Sequence, residues 1–295
     1  NYGLIYGKWG LPALGIRGAA FGTLAGGLTA LVVLAVCYLR KQNVSEFHLK
    51  ESFRFDAGVF KKLLKFGTST GLEMFLNILA FNATVLVFHS QGLVTATAAT
   101  IVFNWDMVSF VPLLGVEISV TSLVGRFIGA RRPETAHQSV LSGLKVAFAY
   151  SFVILILFVF FADSLVGVFR PAQVDTVFVQ AFPTAVLMLR VACFYVLAEA
   201  VFIVFIGALR GAGDTFWAMI MSVSMHWFML LILVFVLRVM HLSPVTGWIV
   251  MVMSFIVFTF LVFLRYKSGR WKSIVVMEPE APVIMTDGFH ETIDL

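Results

Sequence analysis

The sequence predicts an all-α integral membrane protein with about seven transmembrane helices, and three observations carry that prediction. Hydrophobic residues make up 60% of the 295 positions and charged residues only 13%, a balance that excludes an ordinary water-soluble domain. Apolar runs of roughly 20 residues or more recur along the chain, each long enough as a helix to cross about 30 Å of hydrocarbon. The Lys and Arg residues cluster at alternate ends of those runs, as they do in chains that cross a membrane repeatedly.

In chain order, residues 1–17 read as a loop leading into a first span over about 18–39, which Arg40 and Lys41 close. Residues 40–60 form a polar segment in which Glu46, His48, Lys50, Glu51, Arg54 and Asp56 interleave with Phe47, Leu49, Phe53 and Phe55. That interleaving suits a stretch lying at the membrane surface, and the segment is the expected linker. Six further spans are predicted over about 61–88, 92–124, 138–162, 177–209, 215–239 and 244–266, followed by a tail over 267–295. The chain opens on Asn1 rather than Met and no signal-like leader precedes the first span, so the sequence is expected to be part of a longer one.

Of the 21 Lys and Arg residues, sixteen fall at one set of helix ends, in 40–65, 126–132 and 265–272 and at Lys145 and Arg210. Only Lys8, Arg17, Arg170 and Arg238 fall at the other, and Arg190 lies inside a span. The richer side is expected to be cytoplasmic, which places the linker and C-terminus there in a multi-pass plasma-membrane protein whose partner is the lipid bilayer. The same asymmetry accounts for the net charge of +5, so no nucleic-acid partner is implied. Cys37 and Cys193 fall inside apolar runs and read as small core residues. The histidines, at 48, 89, 137, 226, 241 and 290, show no metal-ligand spacing, and neither a metal site nor a catalytic residue is predicted.

The span over 177–209 and the turn that follows organise the rest. An apolar helix carries one carboxylate, Glu199, and stops at Gly207-Ala-Leu-Arg-Gly-Ala-Gly-Asp-Thr215. A charged carboxylate in hydrocarbon costs on the order of 3 kcal/mol on insertion scales, so Glu199 is a candidate functional residue. Gly207, Gly211 and Gly213 are read as residues that supply the positive φ of a helix stop, with Asp214 or Thr215 capping the next helix.

Other polar groups sit at helical spacing. Ser69, Glu73 and Asn77 recur every four residues, which puts them on one stripe of the second span, with Glu73 and Asn77 near mid-depth. Asp106 and Glu117 are eleven residues apart, three turns, and share a face of the third span, with Pro112 and Gly115 between them. Tyr195 and Glu199 are i,i+4 neighbours, whereas Arg190 points the other way and is read as a structural counter-ion for Asp106 or Glu117. Glu117 lies nearer the helix end, where a salt bridge is the simpler reading. His226 is read as a satisfied core histidine, with a proton relay as the alternative.

Four segments now carry a resemblance: Pro12-Ala-Leu-Gly-Ile-Arg-Gly-Ala-Ala20, Leu123-Val-Gly-Arg-Phe-Ile-Gly-Ala130, Ala208-Leu-Arg-Gly-Ala-Gly-Asp-Thr215 and Pro244-Val-Thr-Gly-Trp248. In that order and spacing they resemble the multidrug and toxic compound extrusion family. The resemblance implies a two-lobed transporter, of which this chain holds the last helix of the first lobe (1–39), the inter-lobe linker (40–60), a six-helix second lobe (61–266) and a cytoplasmic tail (267–295). The rest of the N-terminal lobe would be missing. It also implies exchange of H+ or Na+ for small organic, often cationic, drugs or metabolites by rocking of the lobes, with no other cofactor. The family's second-lobe acid, eleven residues before the arginine of the Leu-Arg-Gly turn, corresponds to Glu199. Gly67-Thr68-Ser69 lacks the family's proline, and the usual acid position after it falls on Asn77, with Glu73 one turn earlier.

The expected cation-coupling residues are therefore Glu199, Glu73, Asn77 and Asp106, with Tyr195 and Arg190 as supporting polar groups. A flippase for a lipid-linked precursor, of similar two-lobed build, is the alternative within transport. An integral-membrane enzyme is disfavoured because no nucleophile, base or metal ligands converge.

Overall fold

The computed structural model describes residues 2–40, 44, 55–171, 173 and 175–274. Most of the predicted linker, 40–60, and the tail from residue 275 onward lie outside the described residues. Among the described residues seven helices are long and apolar enough to cross a membrane, at the places the hydropathy runs indicate. The chain divides into two compact units between Leu63 and Leu64.

In the first unit, α1 (Tyr2–Tyr6) and α2 (Ile16–Tyr38) are joined by a short connection. Residues 1–17 are thus not simply a loop. The carbonyls of Gly3, Leu4 and Ile5 accept from the backbone N–H groups of Lys8, Leu14 and Gly15 at 3.0, 2.9 and 3.3 Å, which satisfies a one-turn helix that would not stand alone. Gly18 lies directly against the Leu4 backbone, where any side chain would collide. The spanning stretch of α2 has a mean hydropathy of 2.1 and is apolar all round, as a lipid-facing helix must be.

The second unit takes in α3 (Ala57–His89) from Leu64 onward, α4 (Leu93–Gly129), α5 (Pro133–Phe160), α6 (Ala162–Gly167), α7 (Thr176–Gly211), α8 (Thr215–Val234) and α9 (Pro244–Lys267). A π turn (Phe235–Val239) extends α8, and a 3-10 turn (Arg270–Ser273) follows α9. Helix α7 is the axis of the lobe: 67% of its apolar stretch is inside, against 22–44% for the other spanning helices of this unit. It packs against α4, α5 and α9 in particular. Where most neighbours are helices, a central helix has no continuous polar face, and α7 is apolar along most of its length.

Two aromatic groups fix the ends of the bundle. At one end Phe88, Phe103 and Tyr195 pack edge-on around Trp248, whose indole N–H donates to the Met188 carbonyl at 2.9 Å. At the other, Phe205, Tyr266 and Trp271 stack, and the Tyr266 hydroxyl bonds His137 Nδ1 at 2.7 Å. Pro112 does not interrupt α4, which runs through it.

The glycines of the α7 turn do different work from that expected. Only Gly213 has a positive φ, +88°. Gly207 and Gly211 are helical, and each faces α4 so closely that a Cβ would strike Glu117 or the Thr121 backbone. Gly125 of α4 returns the contact, its Cβ position 3.2 Å from the Gly211 carbonyl oxygen. These small residues let two backbones touch, the packing that membrane helices use where no hydrophobic effect drives association. Thr121 Oγ1 completes the seam by donating to the Gly207 carbonyl at 3.0 Å.

Candidate functional site

The seam between α4 and α7 carries two polar clusters. The eleven-residue spacing that puts Asp106 and Glu117 on one face of α4 turns both toward α7. There Asp106 meets Tyr195, and Glu117 meets Arg210.

Arg210, in the last turn of α7, is the hub of the first cluster. Its Nη2 holds Glu73 Oε1 of α3 at 2.6 Å, and its Nη1 holds Glu117 Oε1 of α4. A guanidinium suits this place twice over. Its fork can serve two carboxylates at once, and the carbonyl end of a helix favours a cation. Glu73 is only 1% exposed and Glu117 7%, so both acids depend on that one arginine. One turn beyond Glu73, Asn77 Nδ2 donates to Ser222 Oγ of α8 at 2.7 Å. His226 Nδ1 bonds the Ser222 carbonyl at 2.9 Å, and because a carbonyl only accepts, Nδ1 carries the hydrogen. Glu73 Oε2, Asn77 Oδ1 and Arg210 Nε are buried without a hydrogen-bond partner among the described residues.

The turn after α7 is tied down beside this cluster. Asp214 stands at the N-cap of α8 but makes no side-chain cap bond. Its Oδ2 instead accepts from Arg265 Nε and Nη2 of α9 at 3.0 and 2.7 Å, and the guanidinium lies 4.9 Å from the centre of the Trp217 ring. The expected capping role of Asp214 gives way to an ion pair, because a buried carboxylate gains more from a guanidinium than from one amide.

In the second cluster the Tyr195 hydroxyl donates to Asp106 Oδ1. Glu199, one turn along α7 from Tyr195, is 6% exposed, and its Oε2 has no partner among the described residues. Asp106 and Glu199 both neighbour Tyr195, the first through that hydrogen bond and the second one helical turn along α7. Tyr150 of α5 donates to the Ser109 carbonyl of α4 at 3.1 Å. Among the described residues no Lys or Arg pairs with Asp106 or Glu199.

The six expected site residues therefore separate. Asp106, Tyr195 and Glu199 come together. Glu73 and Asn77 share a different cluster, and Glu73 sits level with Arg210 near the end of α7 rather than at mid-depth. Arg190 is not the counter-ion of Asp106 or Glu117: it pairs with Asp163 of α6 at 2.6 Å, both side chains about half exposed. Nine residues from Glu199 is two and a half turns, so Arg190 leaves the opposite side of α7. Arg210, Ser222 and Tyr150 were not anticipated. Arg210 was readable only as a loop cation, although two acids in neighbouring spans and one arginine at a span end were the signal for it.

Comparison with known proteins places this geometry in a family. The MatE family model matches residues 70–236, which include both clusters. The chain is 26% identical over 288 residues to the probable multidrug resistance protein NorM of Thermotoga maritima, covering 95% of this chain and 59% of that protein. It is 25% identical over 278 residues to the uncharacterized transporter YisQ of Bacillus subtilis, covering 92% and 58%. The fold is also that of a MOP superfamily transporter from Pyrococcus furiosus, with a TM-score of 0.78 at 18% identity over 92% of this chain and 60% of that one. The chain thus spans about half to three fifths of the length of these curated relatives.

Proposed function

The chain belongs to the MatE family, and from that premise we propose that it is the second lobe, with one preceding helix, of a cation-coupled antiporter that exports small organic cations. The observation that carries the reading is the family match. The names of the relatives agree with it, being a probable multidrug resistance protein and a transporter. In this reading α2 closes the first lobe, residues 40–60 link the lobes on the cytoplasmic side, and the solute passes between the lobes. The coupling cation, H+ or Na+, is handled at Asp106 and Glu199.

The division of charge supports that placement. Glu73 and Glu117 already share a fixed cation, Arg210, and an acid locked to an arginine cannot exchange a mobile ion without breaking the lock. Among the described residues Asp106 and Glu199 have no such partner, which leaves them free to take up and release a charge. Intramembrane acids of that kind mark ion pathways. The richer set of basic ends, which includes Arg131, Arg132, Lys267 and Arg270, faces the cytoplasm in this reading.

The test is efflux from cells that express the full-length protein and are loaded with a fluorescent organic cation. Efflux driven by an imposed H+ or Na+ gradient, and lost in Glu199→Gln, supports the reading. Efflux that ignores both gradients, or that follows ATP instead, removes it.

A further inference from the structure

Helices α4 and α7 are closed by the same hydrogen-bond pattern. After α7 the backbone N–H groups of Gly213 and Asp214 donate to the Arg210 and Leu209 carbonyls at 3.0 and 2.9 Å. After α4 those of Arg131 and Arg132 donate to the Ile128 and Phe127 carbonyls at 2.9 and 2.8 Å. The first residue of such a closure sits in the left-handed region, where glycine is the usual occupant. Gly213 takes it after α7 at φ +88°, but after α4 the place is held by Arg131 at φ +57°. A side chain there works against its own backbone, so the turn itself gives no reason for an arginine, and the guanidinium must supply one.

Arg131 does not stand alone. The start of α5 is bound to the end of α9: Lys272 Nζ holds Glu134 Oε1 at 2.9 Å, and His137 Nδ1 and the Tyr266 hydroxyl share a hydrogen bond of 2.7 Å. Those two bonds bring the turn at 131–132 and Lys267 to one end of the bundle. Lys272 is taken by Glu134 there, and Arg265 by Asp214. Arg131, Arg132 and Lys267 are exposed, and among the described residues no Asp or Glu pairs with any of them. Phe260, Leu264 and Lys267 follow one another at i, i+4 and i+7, on one stripe of α9. Phe260 and Leu264 are 58% and 45% exposed, so the stripe is bare apolar surface that ends in a cation.

We propose that Arg131, Arg132 and Lys267 bind the phosphate of an anionic phospholipid, with its acyl chains along Phe260 and Leu264. The chemistry fits each part. Guanidinium forks match phosphate oxygens, and the ends of spanning helices lie at the level of the headgroups, where basic side chains attract anionic lipid. Phe260 and Leu264 lie within the spanning stretch of α9, where a soluble anion does not follow. The chain carries a competing anion of its own, since residues 275–295 hold five acids and no Lys or Arg. Lipid is favoured over it because the apolar stripe runs into the membrane. The site requires only that these helices span a bilayer, and it does not rest on the antiport reading above.

Native mass spectrometry of the full-length protein, released from detergent with phosphatidylglycerol or phosphatidylcholine added, measures which lipid stays bound. Phosphatidylglycerol should be retained in preference to phosphatidylcholine, and its affinity should fall about fivefold for each of Arg131→Gln, Arg132→Gln and Lys267→Gln. The triple variant Lys8→Gln, Arg17→Gln, Arg170→Gln removes as much charge from the opposite helix ends and should leave retention almost unchanged. Arg131→Gly separates lipid binding from a role in the turn. It relieves the backbone, so the melting temperature in lipid-free detergent should hold or rise while phosphatidylglycerol retention falls. Equal losses from the two sets of three substitutions, or an Arg131→Gly protein that melts lower and keeps its lipid, overturns the proposal. Retention that appears only when residues 275–295 are deleted gives the patch to the acidic tail and overturns it too. So does retention abolished by inorganic phosphate, which makes this a site for a soluble anion.

Discussion

Arg210 holds Glu73 across a 2.6 Å ion pair, tying α3 to the end of the central helix, and the same guanidinium holds Glu117 of α4. Removing it strands two buried carboxylates. Arg210→Met should therefore cost about 3–5 kcal/mol, the usual penalty for an orphaned buried charge. Thermal unfolding in detergent would show it. The triple variant Arg210→Met, Glu73→Gln, Glu117→Gln should regain much of the loss, because it removes the stranded charges as well as their partner. If the triple variant is no more stable than the single one, the cluster acts through something other than charge.

Gly207 makes a second, purely steric prediction. A methyl group there would lie 2.9 Å from Glu117 Cγ and 3.0 Å from the Glu117 carbonyl oxygen. Backbone cannot move aside as a side-chain tip can, so Gly207→Ala should destabilise by about 1–3 kcal/mol, the range for overpacking. Gly115, also helical but with open space around its Cβ position, is the control. Gly115→Ala should be neutral or stabilising by up to about 1 kcal/mol, the intrinsic helix preference of Ala over Gly. Equal melting temperatures for the two variants would contradict the close approach of α4 and α7.

These two sites show what the sequence could and could not tell. The seven spans were legible because length and hydropathy alone decide them in a membrane. The Asp106–Glu117 face was legible because eleven residues is three turns on any helix. Which acid meets which base was not, since it depends on the register between helices far apart in sequence. Sequence alone offers Arg190 to Asp106 or Glu117 for want of another cation inside a span, whereas Arg210, at a span end, reaches back to Glu73 and Glu117. The glycines misled for a related reason: a helix stop and a helix contact both call for Gly, and only the neighbour across the seam distinguishes them.

Asp214 offers a test of that distinction within one residue. Ser is as good an N-cap as Asp, so Asp214→Ser would be harmless if the side chain capped α8. The structure gives its carboxylate to Arg265 at 2.7 and 3.0 Å instead, in a site where Asp214 is 6% exposed. Asp214→Ser should then cost about 3 kcal/mol, the low end for breaking a buried pair. Arg265→Met should cost a similar amount, and the double variant clearly less than the sum of the two. Strict additivity of the melting shifts would show the two side chains to be uncoupled.

The last prediction is orientation. The turns at Arg131–Arg132 and Lys267–Arg270 lie at one set of helix ends, and the connection through Gln173 lies at the other. The Lys and Arg excess at the first set, sixteen against four in the whole chain, orients polytopic proteins with those ends inside the cell. Both Ser268 and Gln173 are exposed, so a cysteine at either is open to a thiol reagent. With Cys37 and Cys193 replaced by Ser or Ala, a membrane-impermeant maleimide added to intact cells should label Gln173→Cys and spare Ser268→Cys. Permeabilised cells should show both. Labelling of Ser268→Cys from outside, with Gln173→Cys protected, would invert the chain in the membrane. The Arg210 cluster would then face the cell exterior, and the cytoplasmic placement of the linker would fall with it.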